Sequence, residues 1–432
     1  LSWLSVYTSG RILDKEDWDK VKDYYAAYIT KLNELQHKDG HNYNEEYAKR
    51  DYTLNAANLK AAPLIIQGLN DDNVKPKHFE LMYDALKKAG QDVKLCLHQG
   101  DHVYPAAMSR GYGITAKGQD FYDLLNTWLT HYLYGVDNHV ESLPAVLAQN
   151  NYDPSKWTSY DNWKSSQRLF LNASSKRLEE TISSDYAAAG VEIANRNETV
   201  SKASSKANLT FVSDVTEDTT IKGHIPVHFK AALAKGQGKN FQINALLVDA
   251  ADEDFDVAGN GSVKQDKTAD GFWMGSNLSN LSVAEYETIK TKYKVIAKGW
   301  INLANPESGY DSASSRASIE PKVGEYHDYT VYLQPNLYTV KKGHKLALVF
   351  NTYDPSDLTV EHPYEVTFKT DSIQAAIPIV EKTRAQKAAY VPSATDTDYA
   401  NLPEVEGAAL VAPEVHYKEE YRLPSPESFV QP

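Results

Sequence analysis

The chain of 432 residues contains a single cysteine, Cys96, so no intramolecular disulfide can form within it. Its apolar neighbours in "KLCLH" mark it as a core residue rather than a nucleophile. Clustered Cys and His ligands are absent, so neither a zinc or other metal site nor a cofactor is expected. No apolar run approaches the ~18 residues that signal a membrane helix. Positive charge is in deficit: 45 Lys and Arg stand against 58 Asp and Glu, a net charge of −13. That balance argues against nucleic acid or an anionic membrane as the main partner. There is no signal peptide and no initiator Met, since residue 1 is Leu. The expectation is a chain that begins inside a longer polypeptide, with upstream residues of that polypeptide as its partner. Also absent is a G-x-S-x-G motif. The nearest match, "GNGSV" at 259–263, lacks the final glycine and reads as a loop.

The remaining pattern changes character near residue 150. Residues 14–37 carry Trp18, Val21, Tyr24, Tyr25, Tyr28 and Leu32 at helical spacing, and "NEEYAKRDY" starts a second helical stretch. Residues 63–68 read as a buried strand. "KPKHFELMYDALKKAG" reads as a helix with Pro76 near its first turn, Phe79, Met82, Tyr83 and Leu86 on one face, and Gly90 at its end. "DVKLCLH" (92–98) is the next strand, and a helix follows over roughly 117–134, closed by Gly135. This alternation predicts a parallel sheet covered by helices. Residues 146–166 read as a linker. From 167 to 380, eight or more strands such as "IPVHFKAAL", "INALLVDA" and "KLALVFNT" predict an all-β sandwich or jelly roll. A polar insertion at about 251–290 interrupts them, and 381–432 reads as an extended tail.

In a parallel α/β sheet, functional groups collect where strands end. Two such exits carry chemistry, "GLNDDNV" after 63–68 and "HQGDHVYP" after 92–98. An acid on one exit and a histidine on the next become neighbours if the strands pair. A carboxylate then orients an imidazole that serves as general base. Asp before His is the order of the last two members of an α/β-hydrolase triad. Asp71 is the preferred acid, with Asp72 placed to cap the following helix. His102, in a loop after Gly100, is preferred over His98, which ends the strand itself. Each residue has a plainer reading as a cap or a surface side chain, and it is their combination that suggests a relay. The serine of a hydrolase precedes its acid, and only residues 1–70 do so here, so it is expected upstream of Leu1.

With these residues in view, the chain resembles the Xaa-Pro dipeptidyl-peptidases of lactic acid bacteria, within the wider cocaine-esterase-like α/β-hydrolases. "GLNDDNVKP" resembles that family's acid loop and "LHQGDHVYP" its histidine loop, while "AKGWINLAN" and "YTVYLQPNLYTVKKGHKLALVFNTYD" follow its C-terminal β domain in order. The resemblance covers roughly residues 1–380. It implies that 1–145 is the C-terminal part of a hydrolase catalytic domain, with lid-like helices at about 14–60. It implies a serine exopeptidase that releases N-terminal Xaa-Pro dipeptides from proline-containing peptides, with Asp71 and His102 in the triad. By the same resemblance Asn73 and Val74 border the proline pocket and Trp3 lines it. Glu16, or failing it Asp17, would hold the substrate's free amine. A carboxylate in a helix's first turn is also favoured by the dipole, and Trp3 would serve equally as core. The chain departs from the family pattern at Asp72, where a Trp is usual, and at Val6, where a Tyr is. The resemblance implies a cytoplasmic protein and permits a homodimer. The tail permits a cell-surface location instead, although no anchor motif is visible.

Two other readings remain. One is an acyl-ester or amide hydrolase on the same scaffold, suggested by positions 6 and 72. The other is a non-catalytic surface-binding β-sandwich that carries a remnant hydrolase half.

Overall fold

The computed structural model describes residues 15–37, 43–102, 114, 118, 120–153, 155–165, 167–185, 207–238, 240–263, 286–311, 318–354, 358, 360 and 362–380, with short segments at 390–392, 409–411 and 415–417. Helix α1 (Lys15–His37) is followed by a single helical turn, α2 (Glu45–Ala48), and a 3-10 stretch, Tyr52–Asn58. Strand β1 (Leu64–Gly68) then pairs in parallel with β2 (Lys94–His98), so that Gly68 lies opposite His98. The crossover between them is α3 (Lys77–Lys88), which buries Phe79, Tyr83 and Leu86. Each such burial is worth roughly 1.5–3 kcal/mol. Gly90, at φ +82°, lets the chain turn out of this helix. Helix α4 (Phe121–Tyr134) opens on a reciprocal capping box between Asp120 and Asp123 and closes at Gly135 in the left-handed conformation.

The stretch 146–166, expected to be a linker, contains two further strands of this sheet. Strand β3 (Val146–Gln149) continues it in parallel beside β2, and β4 (Trp157–Tyr160) turns back antiparallel. Both strands are too short for a period to stand out, and the Asn, Ser and Trp around them mask the buried Val146, Leu147 and Ala148.

The β-rich half is a sandwich of two antiparallel sheets. One has the order β10-β9-β12-β7-β14, the other β11-β8-β13-β5-β15, with β6 on β13 and β16 on β5. Here β5 is Gln167–Ser174, β6 Glu179–Ser183, β7 Leu209–Val215, β8 Thr219–Lys235 and β9 Gln242–Val263. The others are β10 Tyr286–Asn302, β11 His327–Val340, β12 Lys345–Asn351 and β13 Glu365–Ile379. Residues alternate between buried and half-buried along β5, as expected of a strand with one face in a core. Phe229 and Phe368 from one sheet meet Phe350 from the other, with ring centroids 5.1–5.4 Å apart. Much of the polar insertion is a continuation of β9 and β10, which stay paired out to Val263 and Tyr286. "GNGSV" therefore falls in a strand rather than a loop. Three tail strands, β14 (Tyr390–Pro392), β15 (Ala409–Val411) and β16 (Val415–Tyr417), lie on β7 and β5.

The two halves meet through α3 and β11. Glu80, buried on α3, accepts hydrogen bonds from Trp163 Nε1 at 2.7 Å and from the hydroxyl of Tyr310, and its other contact is His224 Nδ1 at 2.7 Å. Burial alone would push its carboxyl up, but the hydrogen bond and charge of His224, with the Tyr310 hydroxyl, hold it below its ordinary value. Lys222, fully buried, donates to the carbonyl of Asn162 at 2.6 Å, and burial lowers its ammonium to about 7.

Candidate active site

The acid loop leaves β1 at Gly68 and folds onto the histidine loop through the backbone. Leu69 N–H donates to the carbonyl of His98 at 2.8 Å and Asn70 N–H to that of Gly100 at 3.2 Å. The Asn70 amide donates to the Gln99 carbonyl at 2.6 Å. Gly68 is required by this closeness, because an added Cβ would stand 2.2 Å from the carbonyl oxygen of Asp101. Gln99 is itself fixed by Gln149 of β3 and by the carbonyl of Leu337 in the sandwich. Both loops are thus set by neighbours on three sides before any side chain of the dyad is considered.

Asp71 is 5% exposed. Its Oδ1 accepts the backbone N–H groups of Asn73 at 2.8 Å and Val74 at 2.9 Å, an Asx-type turn closed on its own chain. Its Oδ2 lies 2.9 Å from Nδ1 of His102. A carboxylate held in this way fixes the imidazole with Nδ1 protonated, leaving Nε2 as the basic nitrogen. The His102 side chain is about half exposed at 54%, and among the described residues nothing binds Nε2. His98 differs in each respect. It is fully buried, its Nδ1 accepts the Gly100 N–H at 3.2 Å, and burial pushes its pKa down to about 4. It is a neutral structural histidine. Asp101, beside His102, has its carboxyl raised by burial and by the negative charges of Asp71 and Asp72.

Asp72 does not cap α3. That helix begins behind Pro76 with no side-chain cap, its Lys77 N–H donating to Gln334 of the sandwich at 2.9 Å. Asp72 instead pairs with Lys298 of β10, Oδ1 to Nζ 3.1 Å. Lys298 also reaches the fully buried Asp354, 3.4 Å away. Proximity to a helix start favours the capping reading, but the strand pattern of "AKGWINL" gives no hint that its lysine points toward the acid loop. Lys298, Asp354 and Glu80 are the residues that sequence reasoning missed. Glu80 left one trace, as a charge next to Phe79 on the apolar stripe of a helix.

Asn73 and Val74 present exposed side chains beside Asp71, while their backbone amides anchor its carboxylate. Glu16 and Asp17 lie in the first turn of α1, but their side chains fall outside the described residues, as do all of Trp3 and Val6. The structure brings Asp71, His102, Asn73 and Val74 together. Among the described residues, no helix is long and apolar enough to cross a membrane.

Comparison with known proteins gives the family and the fold. A family model described as the X-Pro dipeptidyl-peptidase S15 family matches residues 4–104. A second, the X-Pro dipeptidyl-peptidase C-terminal non-catalytic domain, matches 138–386. That match takes in β3, which pairs with β2, and β4, which pairs with β3, so it reaches into the sheet that carries Asp71 and His102. A Xaa-Pro dipeptidyl-peptidase of Ligilactobacillus salivarius is 28% identical over 82% of this chain and 44% of its own length. One of Lactiplantibacillus plantarum is 29% identical over 81% and 44%. The chain therefore spans less than half the length of the curated relatives it matches. Among solved structures, an aminopeptidase from a marine-sediment Thaumarchaeota archaeon superposes with TM-score 0.54 at 13% identity, over 87% of this chain and 62% of that one. A CocE/NonD family hydrolase from Staphylococcus aureus gives 0.52 at 12%, over 81% and 59%. These two likenesses show the hydrolase fold alone.

Proposed function

The chain belongs to the X-Pro dipeptidyl-peptidase family, and from that premise we propose that it supplies the acid and the histidine of a serine exopeptidase that releases N-terminal Xaa-Pro dipeptides. The observation that carries this reading is the 2.9 Å contact between Asp71 and His102, made by the exits of two paired parallel strands. The serine is placed in the part of the polypeptide upstream of Leu1. Its hydroxyl attacks the proline carbonyl, Nε2 of His102 takes the proton and returns it to the leaving amine as the amide C–N bond breaks, and water then hydrolyses the resulting serine ester to free the dipeptide. Asp71 keeps the ring oriented and stabilises the imidazolium, and backbone amides hold the oxyanion. Asn73 and Val74 border the proline pocket, Trp3 lines it, and Glu16 receives the substrate's ammonium. A carboxylate that loses solvation in a closed site is costly unless paired, which ties binding to a free N-terminus. A cytoplasmic location and a homodimeric state belong to the same proposal.

The test is turnover of chromogenic Gly-Pro and Ala-Pro amides by the longer polypeptide, compared with simple esters. Release of Gly-Pro and Ala-Pro supports the peptidase. Ester cleavage without amide cleavage transfers the dyad to an acyl-ester hydrolase. Cleavage of neither points to a non-catalytic protein.

A further inference from the structure

The Asx-type turn that aims Asp71 has a weak point. Asp72, the second residue of the turn, has a side chain 42% exposed. A turn of this kind at a surface opens readily unless something outside it holds it shut. Neighbouring side chains do so. Gln67 donates to the carbonyl of Val74 at 2.9 Å from the β1 side. Lys75, the residue after the turn, donates to the backbone carbonyl of Asp72 at 2.7 Å. Another contact comes from the sandwich, where the ammonium of Lys298 sits between the Asp72 and Asp354 carboxylates at 3.1 and 3.4 Å.

Lys298 is not an ordinary surface cation. Its side chain is 6% exposed, and Asp354 is fully buried. A buried ammonium and a buried carboxylate must stay together, because separating them strands a charge in a poor solvent. Lys298 therefore has a fixed position, anchored by Asp354 and by the pairing of β10 with β9, in which it lies opposite Leu246. The nearby ring of Trp300, 5.9 Å from Nζ, adds a further favourable contact for the cation. Asp72, by contrast, sits at the edge of the loop. The rigid partner in the pair is thus the lysine, and the aspartate adjusts to it.

We propose that Lys298 is a positioning residue, which holds the turn 71–74 closed through Asp72 and so keeps the Asp71 carboxylate aimed at His102. The β domain is then a working part of the site rather than an appendage. The structural half of this inference stands by itself, while its kinetic half rests on the reading of Asp71 and His102 as a catalytic pair.

Two measurements test it. On the 432-residue chain, hydrogen exchange of the Asn73 and Val74 amides reports whether the turn is closed, and the Leu69 and Asn70 amides serve as an internal control. Asp72→Asn, which keeps the side chain's shape at an exposed position, is expected to speed exchange at Asn73 and Val74 and leave Leu69 and Asn70 unchanged. Lys298→Arg is expected to preserve protection at all four. If Asp72→Asn leaves Asn73 and Val74 as protected as before, or speeds all four amides alike, the inference is overturned. On the longer polypeptide, Asp72→Asn is expected to lower kcat by between about tenfold and 100-fold, with KM unchanged. The loss should vanish in an Asp71→Asn background, because the acid being positioned is gone. Losses that multiply would mean that Asp72 acts independently of Asp71, and an unchanged kcat would also reject the positioning role. If Asp71→Asn itself leaves turnover intact, the catalytic reading fails, while the exchange result still decides what Lys298 does to the turn.

Discussion

Gly68 lies so close against the backbone carbonyl of Asp101 that no side chain fits there, an added Cβ falling 2.2 Å from that oxygen. The acid-bearing strand and the histidine-bearing loop are therefore in backbone contact. Gly68→Ala should push the His102 loop away from Asp71 and cost stability by overpacking, roughly 1–3 kcal/mol. Gly90→Ala is the matched control, with open space around it and only a left-handed φ of +82° to oppose substitution. Both lower the thermal midpoint, but only Gly68→Ala should reduce turnover of the longer polypeptide. Equal effects on turnover would show that the close approach does not set the dyad.

Replacing Asp71 by Asn should lower turnover of Gly-Pro amides by about 10⁴, because the imidazole loses the partner that selects its tautomer. His102→Ala should cost at least as much. His98→Ala should act instead on stability, since this ring is buried and packed beneath the loop. The 432-residue chain alone should show no turnover. Any release from Gly-Pro amides by that chain would place the nucleophile within it and overturn the triad as drawn.

Acid should loosen the junction between the two halves through Glu80. Its folded carboxyl lies below the ordinary value of 4.5, so its stabilisation is complete above that value and is lost as the pH falls through the folded one. The thermal midpoint should therefore drop below about pH 4.5, and Glu80→Gln should drop less steeply over the same range. Glu80→Ala, which strands His224 and Tyr310 in the interface, should cost about 3–5 kcal/mol at neutral pH. A midpoint profile that Glu80→Gln leaves parallel to the parent's would remove Glu80 from the acid response.

Cys96 should be inert in the native chain. It is fully buried on β2, and burial pushes its thiol up to about 12. A thiol reagent at about pH 8 should label it only after denaturant is added. Rapid labelling of the folded chain would mean that β2 opens readily.

The strands and helices that carry the dyad were legible because each combines a strong period with punctuation. "PLIIQG" is an apolar run ended by glycine, and the α3 segment has a clear stripe between Pro76 and Gly90. The order of acid and histidine, on exits of strands expected to pair in parallel, was enough to bring Asp71 to His102. Three things were hidden. Strands β3 and β4 have four residues each, too few to show an alternation among Asn, Ser and Trp. The β9–β10 extension is polar on its sequence, and only the pairing of the two strands reveals it. The role of Asp72 depended on Lys298, a residue 226 positions away by number (298 − 72), and no local pattern encodes so distant a contact.

Among the described residues, β1 ends the four-stranded sheet, in the order β1-β2-β3-β4. A strand in a parallel sheet is ordinarily enclosed on both sides, and an outermost one offers a row of backbone donors and acceptors for another strand to join. The apolar Leu64, Ile65 and Ile66 make this row a ready template. The dyad thus hangs from a seam along which further strands can be added, including strands carried by a separate polypeptide.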